Sequence, residues 1–115
     1  MALVRSRFCE LAASLCDLSQ AEQYLIGMVS LFPAMLDIRM DELVQMLPLR
    51  QPASDALQGK EIVEGSLLHW MMAIECGDWT ECDAVAAKYG LKQAILMRHY
   101  DNAIAWAETS LTSMA

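Results

Sequence analysis

The chain reads as an all-α protein, an irregular bundle of about five main helices joined by short helical connectors. Three observations predict it. The 115 residues are 56% hydrophobic with only five Gly and three Pro, too apolar for disorder and too poor in breakers for a many-turned β fold. Apolar residues recur at spacings of three and four, and no alternating run bounded by hairpin turns interrupts them. The length suits one domain, residues 1–115, burying roughly two thirds of its unfolded surface.

Residues 2–18 place Val4, Phe8, Leu11, Leu15 and Leu18 on one face, which predicts a one-sided outer helix. Ser19-Gln20-Ala21-Glu22 matches a capping box and starts a second helix, apolar nearly all round and therefore expected at the centre. Pro33 should end or kink it near Leu31 or Phe32 and open a short turn. Asp41 to Leu47, stopped by Pro48, and Pro52 to Gln58, ended by Gly59, read as short connectors. Ile62 to Cys76 reads as a long helix closed by Gly77. Asp78-Trp79-Thr80-Glu81 then caps the second arm of a helical hairpin, which runs to Tyr89 and Gly90. Met97, Tyr100, Ile104, Ala107 and Leu111 mark the expected inner face of a last helix.

Eight basic residues against fifteen acidic ones give a net charge of -7, the wrong sign for neutralising a nucleic-acid backbone, and the basic residues are scattered. The apolar run from Leu67 to Ile74 is far short of the about 20 residues of a membrane span, and the start lacks the uninterrupted apolar core of a signal peptide. Cys9, Cys16, Cys76 and Cys82 lie in helical patterns without CxxC spacing, which reads as reduced thiols in a cytoplasmic protein.

Chemistry-bearing constellations are sparse. The two histidines, His69 and His99, fall in different helices; His69 reads as a neutral core or rim residue and His99 as a surface one. The acids around Cys76 and Cys82 would raise rather than lower their thiol pKa values, and Cys9 is flanked by opposing charges, so the cysteines read as small hydrophobes. No dinucleotide, P-loop or nucleophile-elbow fingerprint occurs, and neither a catalytic site nor a cofactor is expected. Glu75, Asp78, Glu81 and Asp83 read as a charged helix start. Nine methionines either fill core gaps or form an adaptable surface for a partner, in which case Trp70, Trp79 and Trp106 are candidate anchors. Trp79, Trp106 and Met72 are the interaction residues this reading selects.

Four stretches in order, Arg5-Ser6-Arg7-Phe8-Cys9-Glu10, Gly27-Met28-Val29-Ser30-Leu31-Phe32, Leu47-Pro48-Leu49 and Glu75-Cys76-Gly77-Asp78-Trp79, resemble the C-terminal part of the HDOD domain as it occurs behind EAL domains in bacterial signalling proteins. The resemblance covers nearly the whole chain. It implies a fold similar to the metal-dependent HD phosphohydrolases without their metal ligands, since Ser30 and Leu31 hold the positions of the His-Asp pair. It further implies an excised portion of a larger domain, with apolar surface that missing helices, an EAL domain of the parent chain or a homodimer partner would cover. EAL domains hydrolyse cyclic di-GMP in their active members, so the expected function is a non-catalytic regulatory module of cyclic di-GMP signalling that binds another protein domain. The alternatives are a residual HD-type phosphohydrolase recruiting metal through His69, His99 and nearby acids, and a small-ligand site between helices.

Overall fold

Helix boundaries in the chain follow local chemistry, as the computed structural model shows for residues 2–114, with side chains described for residues 3–110. Helix α1 spans Ala2–Ala12 and tightens into a 3-10 turn, Ala13–Cys16, which Asp17 closes in the left-handed region at φ 55°. Helix α2, Gln20–Val29, starts where the Ser19 hydroxyl accepts from the Glu22 amide at 3.3 Å. Pro33 sits in the first turn of α3, Phe32–Leu36, where a missing amide hydrogen costs nothing. Two more short helices follow, α4 at Met40–Met46 and α5 at Gln51–Leu57. A 3-10 turn, Val63–Gly65, leads into α6, Ser66–Cys76. Gly77, at φ 71°, reverses the chain, and the Asp78 carboxylate accepts from the Glu81 amide at 3.1 Å to start α7, Trp79–Lys88. The last helix, α8, is Gln93–Met114.

Five long helices (α1, α2, α6, α7 and α8) and three short ones therefore make up the bundle, and no strand occurs among the described residues. The Cα radius of gyration is 13.7 Å, against about 13 Å for an ordinary globule of this length. Among the described residues no helix is long and apolar enough to cross a membrane.

The centre of the bundle is α1 rather than α2. Helices α2, α6 and α8 all pack on α1, and Ser6, Phe8, Cys9 and Ala12 are completely buried, whereas α2 leaves Leu25 exposed. The expectation of an outer first helix weighed only its large apolar stripe; its small residues make a second contact face. At the crossing with α2 a Cβ on Gly27 would stand 2.7 Å from the Arg5 carbonyl oxygen and from Ser6 Cα, so the two backbones meet where neither helix carries bulk. Because backbone on a central helix cannot swing aside, Gly27→Ala is expected to cost about 1–3 kcal/mol in urea-induced unfolding. An unchanged midpoint would mean that the crossing is looser than described.

Two further boundaries differ from expectation. The helix expected from Ile62 starts at Ser66, because the chain arrives extended at Ile62 and Gly65 then packs on α5, where a Cβ would lie 3.3 Å from that of Ala56. On α8 the fully buried positions are Leu96 and Ala103, with Ala107 nearly so; Met97, Tyr100 and Ile104 are only partly buried, and the side chain of Leu111 lies outside the described residues. The core itself is one cluster, built around Phe8, Ile26, Leu67, Trp70 and Leu96.

Candidate functional site

The three tryptophans fall into three environments. Trp70 is fully buried and is a core residue, not an interface anchor. Trp106, expected on the surface, is half-buried, with the Arg7 guanidinium carbon 5.2 Å from its ring centroid, so a cation already covers that face. Trp79 is 62% exposed in the first turn of α7. Met72 is 45% exposed on α6 and lines a cleft that contains neither Trp79 nor Trp106. The selected residues thus share no single site.

A cleft open to solvent lies beside Met72. It has a volume of about 360 Å³ and runs between the α5–α6 connection and the outer face of α6. Leu57, Ile62, Leu68 and Met72 give it apolar walls, while Lys60, Glu61 and His69 supply charged and polar groups. A second hollow of about 300 Å³ adjoins it, lined by Glu81, Ala84 and Lys88 of α7 and sharing Glu61, His69 and Tyr89 with the first. His69 is exposed at this boundary, with Nε2 2.9 Å from Glu81 Oε1. Lys88 Nζ donates to Glu61 Oε2 at 3.1 Å and lies 5.4 Å from the Tyr89 ring centroid. Glu61 draws the Lys88 pKa upward.

His99, expected on the surface, is only partly exposed, and its Nδ1 is buried without a hydrogen-bond partner among the described residues. Burial, with Arg98 adding like charge, holds its pKa below the usual imidazole value. Among the described residues no group of three or more His, Cys, Asp or Glu side chains converges as a metal would require. Ser30 is engaged elsewhere: its hydroxyl accepts from Arg5 Nη1 at 3.1 Å and donates to the Gly27 carbonyl at 2.7 Å.

The four cysteines are free thiols. Burial pushes the Cys9 thiol up to about 12, and burial raises Cys16 and Cys82 as well, with Asp78 and Asp83 adding to the effect at Cys82. Cys76 alone among them is exposed. Alkylation of the native protein followed by peptide mass spectrometry is therefore expected to label Cys76 at least about a hundredfold faster than Cys9 and Cys82, which should react only through unfolding. Comparable rates would contradict the burial of Cys9.

No protein-family model matches the chain, and no solved structure does. Two curated proteins are similar to it. Over 95 residues, 82% of the chain, it is 32% identical to YuxH, an uncharacterised protein of Bacillus subtilis, covering 23% of that protein. Over 110 residues, 94% of the chain, it is 28% identical to the cyclic di-GMP phosphodiesterase CdgJ of Vibrio cholerae, covering 26% of it. The chain spans about a quarter of the length of each of these relatives.

Proposed function

We propose that the chain is a non-catalytic, HDOD-like regulatory module that works in cyclic di-GMP signalling, in the cytoplasm, by binding another protein domain. One observation carries this reading: nearly the whole chain is 28% identical to a segment that makes up about a quarter of a cyclic di-GMP phosphodiesterase. The natural division of labour assigns phosphodiester hydrolysis to an EAL domain outside this chain and recognition to the bundle. The mixed cleft between the α5–α6 connection and α6 and the exposed ring of Trp79 support recognition, because a large aromatic and an adaptable thioether suit contact with a partner.

The test has two arms. Purified chain incubated with cyclic di-GMP is expected to give no hydrolysis; turnover would overturn the non-catalytic reading. Tagged chain used as bait in a lysate of its source cell is expected to retain a protein that makes or degrades cyclic di-GMP, and Trp79→Ala to reduce that retention without lowering the melting temperature. Loss of the regulatory reading would follow if folded bait retained nothing above a refolded, denatured control.

A further inference from the structure

We propose that the cleft and its adjoining hollow form one groove that docks a basic, amphipathic segment of a partner protein. An apolar side chain of that segment would seat beside Met72, and a lysine or arginine would take the end between Glu61 and Glu81. The inference rests on the binding-module reading and gives its partner a chemistry.

The groove has two unlike halves. The first is walled by Leu57, Ile62, Leu68 and Met72 and suits an aliphatic side chain. The second presents two carboxylates, Glu61 and Glu81, beside the ring of Tyr89. It already holds a cation, since Lys88 places its ammonium at hydrogen-bond distance from Glu61 and over the Tyr89 ring. Lys88 therefore acts as an internal stand-in for an incoming cationic side chain. The exchange costs little, because Glu61 is 78% exposed and water screens an exposed pair of this kind. An arginine would add a planar fork that matches a carboxylate with two hydrogen bonds.

Charge decides the occupant. The lining itself sets Glu61 and Glu81 against Lys60 and Lys88, so it is the chain as a whole, with fifteen acidic and eight basic residues, that attracts basic partners and repels acidic ones. The half-open shape favours a segment over a free small molecule, which would stay wet on its open side, whereas a partner brings its own cover.

The test uses the full chain carrying methyl-labelled methionine and two fluorescent helical peptides of about 18 residues, one with a leucine stripe and lysines, the other with the same stripe and glutamates. The lysine peptide is expected to bind and to shift the Met72 methyl signal while Met35 and Met46, exposed away from the groove lining, stay in place. Glu61→Gln with Glu81→Gln should weaken it about tenfold, and Lys88→Ala, which removes the internal competitor, should tighten it at least about twofold. These are surface positions, and unchanged melting curves verify that the variants fold.

No binding of the lysine peptide, equal binding of the glutamate peptide, shifts at Met35 or Met46 instead of Met72, or indifference to the glutamine pair would each overturn the proposal. Weakening on Lys88→Ala would do so too, by assigning the groove to anions. A partner captured from lysate and still held by the glutamine double variant would remove the groove while leaving the regulatory reading intact. Turnover of cyclic di-GMP by the chain would instead strike that reading.

Discussion

Trp70→Ala is expected to lower unfolding stability by about 3–5 kcal/mol, a large share of the about 5–15 kcal/mol available to a domain. Its ring has no exposure, stacks on Phe8 with centroids 5.1 Å apart and planes inclined by 16°, and meets Tyr100 edge-on at 6.4 Å. Truncation removes the piece that joins α1, α6 and α8, and a close-packed interior closes only part of the void left behind. The indole also carries a polar connection: Nε1 donates to Gln93 Oε1 at 2.7 Å, and Gln93 Nε2 donates to Asp83 at 2.7 Å, which ties α6 to α8 and α7. Trp70→Phe keeps most of the stack but strands Gln93 Oε1, so about 1–3 kcal/mol of the loss should remain. Urea unfolding followed by circular dichroism reads both variants. A cost below about 1 kcal/mol for the alanine variant would mean that the ring is not the centre of the core.

The fold was largely legible because its boundaries are set by local chemistry. Ser19, Pro33, Pro52, Gly77 and Asp78 act within one turn of where they stand, and all five mark helix ends or first turns in the structure. What the capping glutamates do next was not legible. Glu22 and Glu81 both sit at the third helical position, where a capping box would turn them back, yet the Glu22 carboxylate takes Arg50 Nε at 2.6 Å and that of Glu81 faces His69. The hydrogen bond from Arg50 lowers the Glu22 pKa below the ordinary carboxylate value. Each is a choice between a neighbour in sequence and one in space, and only the second depends on the fold.

Position in the bundle was hidden for a related reason. Hydrophobic periodicity weighs large side chains, so Ser6, Cys9, Ala12 and Gly27 carried no signal, although the first three are fully buried and Gly27 lies against the backbone of Arg5 and Ser6. Trp70, Trp79 and Trp106 look alike in a list of aromatics, and only packing assigns them to core, surface and cation-covered ledge. The groove draws Leu57, Ile62, Met72, Glu81 and Lys88 from the end of α5, a connection and two helices. No local pattern could announce it.

Glu75→Ala is the second substitution with a large expected effect, about 3–5 kcal/mol, and its cause is electrostatic rather than volumetric. Arg5 on α1 donates from Nε to both Glu75 carboxylate oxygens at 3.0 Å and from Nη1 to Ser30 at the C-terminal cap of α2, with Arg5 and Glu75 only 11% and 13% exposed. Deleting the carboxylate leaves a guanidinium, which cannot shed its charge, largely withdrawn from water with the Ser30 hydroxyl as its remaining partner. Deleting both partners removes the problem along with the pair, so Arg5→Leu with Glu75→Leu should cost at least about 2 kcal/mol less than the sum of the two single changes. Salt separates this pair from exposed ones: up to about 0.5 M it should barely alter the Glu75→Ala cost, while the small cost of Glu22→Gln, whose Arg50 partner is largely exposed, should shrink. Additive single and double costs would mean that Arg5 and Glu75 do not hold α1 and α6 together through their charges, and that α1 keeps its central place by its small residues alone.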